Sequence, residues 1–421
     1  MTERLLQYIW QFQYFNAREL NTIDGSLLHI IDPGKYNTNQ GPDFLEGCIK
    51  LDGIKLAGNI ELHIQTSDWK KHGHQHDNNY KNVILHVVWQ HDTPVHDVSI
   101  PVLVLENRIA SVLLDLYTAW MQRTGSIACG SMVREVSPMV WVGWTERLLV
   151  ERMMRKSDYV LRLLQENNQY WEGACWQLLA KNFGVRVNAT AFENIARSLP
   201  LSILARHKNQ QTVLEALLMG QAGLLEQPFK DEYGLLLQRE YRFHRHKYQL
   251  RKPAGAVFFL RMRPAAFPTI RLSQLAMLLH SSTRLFTEIK ETTSLAELRS
   301  RLNVCANDYW HYHYRFDEPG EYSLKQVGSS MISNIIINTV APLLFAWGVY
   351  HKEQPLKDKA LQWLTETTSE KNSIITEWQQ LGVGSTNAGE SQALLELKTK
   401  YCDEKRCLDC AVGNALLKRN G

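Results

Sequence analysis

The sequence predicts an α+β protein, with a small N-terminal mixed α/β sheet domain followed by a large all-α helical region. Three observations predict it. The apolar period is about two through the first 125 residues and lengthens to three or four after Pro138. Asp-Gly and Pro-Gly turn signals separate the short β-rich runs of the first part. A length of 421 residues exceeds what one compact core supports, so two or three domains are expected. With 44% hydrophobic and 21% charged residues, the chain has enough apolar surface to fold, which excludes wholesale disorder. Glycine 24 and proline 13 are too few for a collagen-like chain.

Taken in order, an aromatic-rich helix is expected from about Glu3 to Asn16, then strands in LLHIIDPG, FLEGCIKLDGIKLAGNIELHIQ, NVILHVVWQHD and VSIPVLVLEN. Asp52-Gly53 reads as the tight turn of a hairpin, because both residues tolerate positive φ. WTERLLVERMMRKSDYVLRLLQ opens the helical part. The expected domains are residues 1–125, 138–250 and 255–421, with breaks at Ser126 to Ser137 and near Arg251 to Gly255. The apolar stretch Ile335 to Val349 is interrupted by Asn338 and Pro342, so no membrane span is expected. The N-terminus lacks the basic start and smooth apolar core of a signal peptide, which points to a cytoplasmic protein. A net charge of +4 does not by itself indicate a nucleic-acid partner. Seven cysteines, an odd number, do not fit a secreted disulfide framework and favour reduced thiols or a metal site.

The stretch Gly41 to Asp92 carries the chemistry. Strand alternation puts Glu61, His63 and Gln65 on one face and Ile60, Leu62 and Ile64 on the other. The apolar face enters a core and the polar face is expected in a cleft or in solvent. Counting outward from Asp52-Gly53 places Phe44 or Leu45 across from Glu61, so Asp43 lies within one or two positions of it. Two carboxylates on neighbouring strands suit magnesium or manganese, which would polarise a phosphoryl oxygen and sharpen a water nucleophile. Asp43, Glu61 and His63 are therefore the candidate catalytic residues, against the plainer reading of Asp43 as a turn cap and Glu61 with His63 as a polar strand face. His72, His74, His76 and Asp77 form a local excess of ligand types, and His74 with Asp77 share a face if the segment is helical. His86 reads as a buried structural histidine, and Asp68 as a helix cap beside a packed Trp69.

The order of helix, three strands bearing Pro42-Asp43 and then Glu61-x-His63, connection and fourth strand resembles the PD-(D/E)XK nuclease core, a restriction-endonuclease-like fold. That resemblance implies a metal-dependent phosphodiesterase with Asp43 and Glu61 as the acids. His63 stands where the family has lysine, and a neutral histidine serves as a base or a ligand instead.

Near the C-terminus, Cys402, Cys407 and Cys410 have C-x4-C-x2-C spacing, compatible with zinc or an iron-sulfur cluster if a fourth ligand exists, for which Cys305 or a histidine is the guess. Some nucleases of the resembled superfamily hold such a cluster with three late cysteines and one early one, whereas no cysteine here precedes Asp43. QREYRFHRHKYQLRK supplies Arg242, Arg245 and Lys247, and FLRMRPAAFPTIRL supplies Arg261, Arg263 and Arg271, as candidate nucleic-acid contacts. A solvated helix face is the alternative. GQAGLL lacks the Gly-Lys-Ser/Thr of a P-loop, so ATP use is not expected.

Taken together, GPDF, GNIELHI, SDWKKHGHQHD, YKNVILHVVW, GQAGLL, FLRMRPAAFPTIRLSQL and YCDEKRCLDCAVGN resemble an uncharacterised bacterial family, the domain-of-unknown-function family 2851. Two readings follow. One is a magnesium- or manganese-dependent nuclease in which the Arg-rich helices hold nucleic acid. The other is a non-catalytic scaffold, binding nucleic acid or protein, that retains a degenerate nuclease fold. A histidine-rich hydrolase of another phosphoester is a third.

Overall fold

Asp52 and Gly53 adopt φ of 45° and 89°, the positive values that let a two-residue turn match the twist of its strands. They join strands β4 (Phe44–Leu51) and β5 (Ile54–Gln65), paired Leu51 to Ile54 as the sequence predicts. These belong to a seven-stranded mixed sheet with β1 (Leu20–Asn21), β2 (Leu27–Asp32), β3 (Lys35–Tyr36), β6 (Val83–Gln90) and β7 (Val102–Val104). The order is β1-β2-β4-β5-β6-β7, with β3 also on β4. β2, β4 and β5 run antiparallel, whereas β6 is parallel to β5 and β7 parallel to β6. A parallel step needs a crossover of a dozen or more residues, and the segment 66–82 supplies it, opening with the short helix α2 (Asp68–Lys71). Helix α1 (Glu3–Gln11) packs on β5 and buries Leu5, Leu6, Ile9 and Trp10.

The computed structural model describes residues 1–93, 100–124, 127–260 and 262–419. Its chain forms two compact units: Met1–Trp144 with Gln380–Val383 and Leu397–Gly421, and Thr145–Gln379 with Gly384–Glu396. The first holds the sheet. The second is helical, as the lengthened apolar period predicts.

Three expectations differ from this arrangement. The division falls inside the helix Pro138–Glu166, not at Ser126 to Ser137, and the softer break near Arg251 separates no unit. The cysteine-bearing C-terminus joins the sheet unit, an association over distant sequence that no local pattern carries. Asn338 and Pro342 do not interrupt the apolar run either. It continues as one 22-residue helix, Ser329–Tyr350, long and apolar enough to cross a membrane but with 72% of its most apolar window buried inside the protein. A π-type turn at Ile336–Val340 absorbs the proline. Pro342 cannot donate to the Asn338 carbonyl, and Asn182 Nδ2 does so instead at 3.0 Å.

Candidate metal centre

Central strands of a mixed sheet are covered on both faces, and the second half of β5 follows that rule. Glu61 is 4% exposed and His63 1%, so the polar face is buried and not solvated. A one-residue bulge between Phe44 and Gly47 pairs Phe44 with Ile60 and brings Asp43 opposite Glu61, inside the window counted from the turn. The Asp43 backbone N–H donates to Glu61 Oε2 at 3.0 Å. Asp43 Oδ1 accepts from Gln7 Nε2 at 2.8 Å and Oδ2 from the Leu62 N–H at 3.1 Å.

The crossover closes over this face. Trp69 is buried with its ring tilted on His86 and edge-on to His63 and His74. Asp68, expected as a cap, accepts the Gln65 N–H at 2.9 Å from the first position of α2. Gly73 has φ of 74°, a left-handed conformation that reverses the chain after α2 and sends His72 and His74 back to the same point. His63 Nε2 lies 3.1 Å from His72 Nδ1 and 3.2 Å from His74 Nε2. Glu61 Oε1 is 3.5 Å from both His63 Nε2 and His74 Nε2. The three histidine donors all lie within 4.8 Å of one another. Behind them, His63 Nδ1 is 2.9 Å from Nε2 of the buried His86.

Burial and the neighbouring Asp43 push the Glu61 carboxyl far up, and burial also raises Asp43. Burial, then the adjacent imidazoles, push His63 far down, and burial holds His86 at about 4. Burial thus favours the neutral forms of His63, His74 and His86, which keep lone pairs to offer, and disfavours the charged forms of the two acids. A divalent cation meets both conditions. For metal–nitrogen bonds of about 2.0–2.1 Å, neighbouring ligand atoms in a tetrahedron are about 3.3 Å apart, close to the four separations above. Three imidazoles and one carboxylate suit zinc, manganese or a similar transition ion better than magnesium, which prefers oxygen and water.

Of the sequence candidates, Glu61, His63 and His74 converge. Asp43 stands behind Glu61. Asp77 does not share a helical face with His74. It follows a 3-10 turn, His74–His76, and its carboxylate accepts the Asn79 N–H at 2.9 Å. His72, singled out in the sequence only as part of the histidine excess, joins the cluster because of the turn at Gly73. It is exposed, so the cluster meets solvent there, and beside His74 a cavity of about 470 Å³ is lined by Trp69, Asp77, Tyr80 and Lys81.

Cys402, Cys407 and Cys410 do come together. Their neighbour is Cys129 and not Cys305, which belongs to the helical unit. Arg242, Arg245 and Lys247 are exposed on the helix Glu232–Tyr248, and Arg263 is exposed. Arg271 is mostly buried and donates to Gln274 Oε1 at 2.9 Å, so it is not a surface phosphate contact. Arg261 lies outside the described residues.

Sheet, crossover and cluster define the class: an α+β protein whose mixed sheet buries a carboxylate among imidazoles. The chain belongs to the family described as protein of unknown function (DUF2851), whose model matches residues 3–373. No curated protein and no solved structure matches it.

Proposed function

We propose that the protein is a metal-dependent hydrolase of phosphodiester bonds in nucleic acid, with Glu61, His63, His72 and His74 holding a zinc or manganese ion. The observation that carries the reading is that Glu61 Oε1, His63 Nε2 and His74 Nε2 lie 3.2 to 3.5 Å from one another, with His72 Nδ1 3.1 Å from His63 Nε2. The ion, when bound, would polarise a phosphoryl oxygen and lower the pKa of an attacking water. Asp43 is a positioning residue: its N–H holds Glu61 Oε2 while Gln7 and the Leu62 N–H fix its own carboxylate. His63 Nδ1 lies 2.9 Å from His86 Nε2, so with His63 Nδ1 donating to His86, His63 Nε2 would be left to ligate.

The order of helix, antiparallel β2-β4-β5, crossover and parallel β6 supports the nuclease-like, restriction-endonuclease-like reading, with Asp43 before β4 and Glu61 in β5 as that core requires. Exposed Arg242, Arg245 and Lys247 beside the exposed Phe243 supply phosphate and stacking contacts for nucleic acid. The test is cleavage of labelled DNA and RNA with zinc, manganese or magnesium. Wild-type protein is expected to cut with zinc or manganese, and His63→Ala and Glu61→Gln to be inactive while still folded. Cutting that survives both substitutions removes the proposal.

A second reading, a non-catalytic nucleic-acid-binding scaffold, is favoured by one observation: both Asp43 oxygens already accept protein N–H groups. It expects salt-sensitive binding without turnover under every metal.

A further inference from the structure

Four of the seven cysteines meet at one place in the sheet-bearing unit. Cys129 precedes the 3-10 turn Gly130–Glu135, Cys402 closes a π-type turn, Cys407 opens a 3-10 turn, and Cys410 precedes the helix Ala411–Arg419. All four line a single cavity of about 20 Å³, together with Tyr401 and Arg406. Cys129, Cys407 and Cys410 are 8%, 8% and 6% exposed, and all four are free thiols. We propose that Cys129, Cys402, Cys407 and Cys410 form a four-thiolate metal centre, holding a zinc ion or an iron-sulfur cluster.

Burial raises all four thiols, so holding them as thiolates requires positive charge at this place. Cys410 stands at the start of the helix Ala411–Arg419, where the positive end of the helix dipole favours a negative sulfur. Arg123 acts on Cys129, Lys398 on Cys402 and Lys405 on Cys407, each favouring the thiolate. Four thiolates around a divalent ion leave a net charge of about −2, which these cations offset. Gly413 is required for the fold of this loop, since a Cβ there would stand 2.3 Å from the Cys407 carbonyl oxygen.

Alternative uses of the thiols fit less well. Burial, followed by the neighbouring cysteines, pushes Cys129 up to about 12 and Cys407 to about 11, the reverse of a nucleophile or redox sensor. The C-x4-C-x2-C run with one remote cysteine is a known cluster-ligand spacing, and its C-x2-C part is also the zinc chelate. Each ligating thiol releases its proton to solvent as the metal enters.

The test uses the full chain purified without oxygen, then reconstituted separately with zinc, with cobalt(II) in place of zinc, and with iron plus sulfide. Metal, acid-labile sulfide and visible absorption are measured per chain. Thiolate-to-metal charge transfer is expected in the wild type, either with cobalt(II), which identifies the zinc-type site, or with iron and sulfide, which identifies the cluster. Cys129→Ser and Cys407→Ser are expected to lower occupancy at least about tenfold. Cys305→Ser and His63→Ala should retain it, the latter separating this centre from the histidine cluster. The wild-type signature is read first, so a variant that fails to fold removes no arm of the test. Absence of charge transfer under all reconstitutions, or a signature that survives Cys129→Ser unchanged, overturns the proposal.

Discussion

At His63 Nε2, two other imidazole nitrogens and a carboxylate oxygen stand within 3.5 Å, and the ring's far nitrogen meets His86. Removing the inner ligand by His63→Ala should lower zinc affinity by more than the about 10–100-fold that loss of an outer partner costs. His86→Gln, which touches only the far nitrogen, should fall inside that range, and calorimetric titration of zinc into metal-free protein separates the two. A second residue-scale test lies in the helical unit. Lys156 is half-buried, with Nζ 2.7 Å from Gln392 Oε1 and 2.8 Å from Asn338 Oδ1, while Arg152 and Arg155 converge on Glu396 beside it. Burial, then Arg152, push its pKa down to about 7 from 10.5, against the opposing pull of Glu370 and Glu396. Between those pH values the unfolded chain binds the proton and the folded one releases it. Stability should therefore rise with pH through that window, by at most about 1.4 kcal/mol per pH unit. Lys156→Met should flatten the rise in urea denaturation measured from pH 7 to 10; an unchanged slope would assign it to other groups.

The β5–β6 contact is where one element depends on the exact shape of another. A Cβ at Gly58 would meet the Asn82 carbonyl oxygen and Ile84 Cγ2 at 2.5 Å each, and the former is backbone that cannot swing away. Gly58→Ala is expected to cost about 1–3 kcal/mol in chemical denaturation and to weaken metal binding by shifting Glu61 and His63. A neutral outcome would mean that the strands separate freely there. Elements of this kind were partly legible. The Asp52-Gly53 turn and the period-two alternation of β5 are local properties, so the hairpin, its register and the shared face of Glu61 and His63 could be read directly. That this face is buried could not, because it is the crossover 66–82 that covers it. Helical spacing would favour Asp77 as the partner of His74, but Gly73 turns the chain left-handed and brings His72 in instead. Asn338 and Pro342 read as helix breaks because the partner of the orphaned carbonyl, Asn182, is remote in sequence.

At the scale of the whole molecule, the first unit is discontinuous in sequence. The helix Ala411–Arg419 buries Val412, Leu416 and Leu417 and packs against Ser111–Gln122, and Arg4 pairs with Asp409 at 2.7 Å. Truncation after Glu396 should therefore lower the thermal midpoint of the sheet-bearing unit, read by the far-UV signal of its strands, and abolish the four-cysteine cavity. Retention of the full midpoint would show that this segment contributes no stability. The same discontinuity hides Cys129 as a partner of the late cysteines, since no periodicity or spacing links residues so far apart. The electrostatic part of the proposed activity also belongs to this scale. Arg242→Glu with Arg245→Glu should weaken nucleic-acid binding across sequences and reduce its salt dependence, while metal content stays unchanged.

The most direct measurement is diffraction at the metal absorption edge from crystals of the Cys129→Ser, Cys407→Ser protein grown with zinc or manganese. The account predicts an anomalous peak about 2.0–2.2 Å from Glu61 Oε1, His63 Nε2, His72 Nδ1 and His74 Nε2. Crystals that hold the metal elsewhere, or leave those four atoms without a peak at saturating metal, would contradict it.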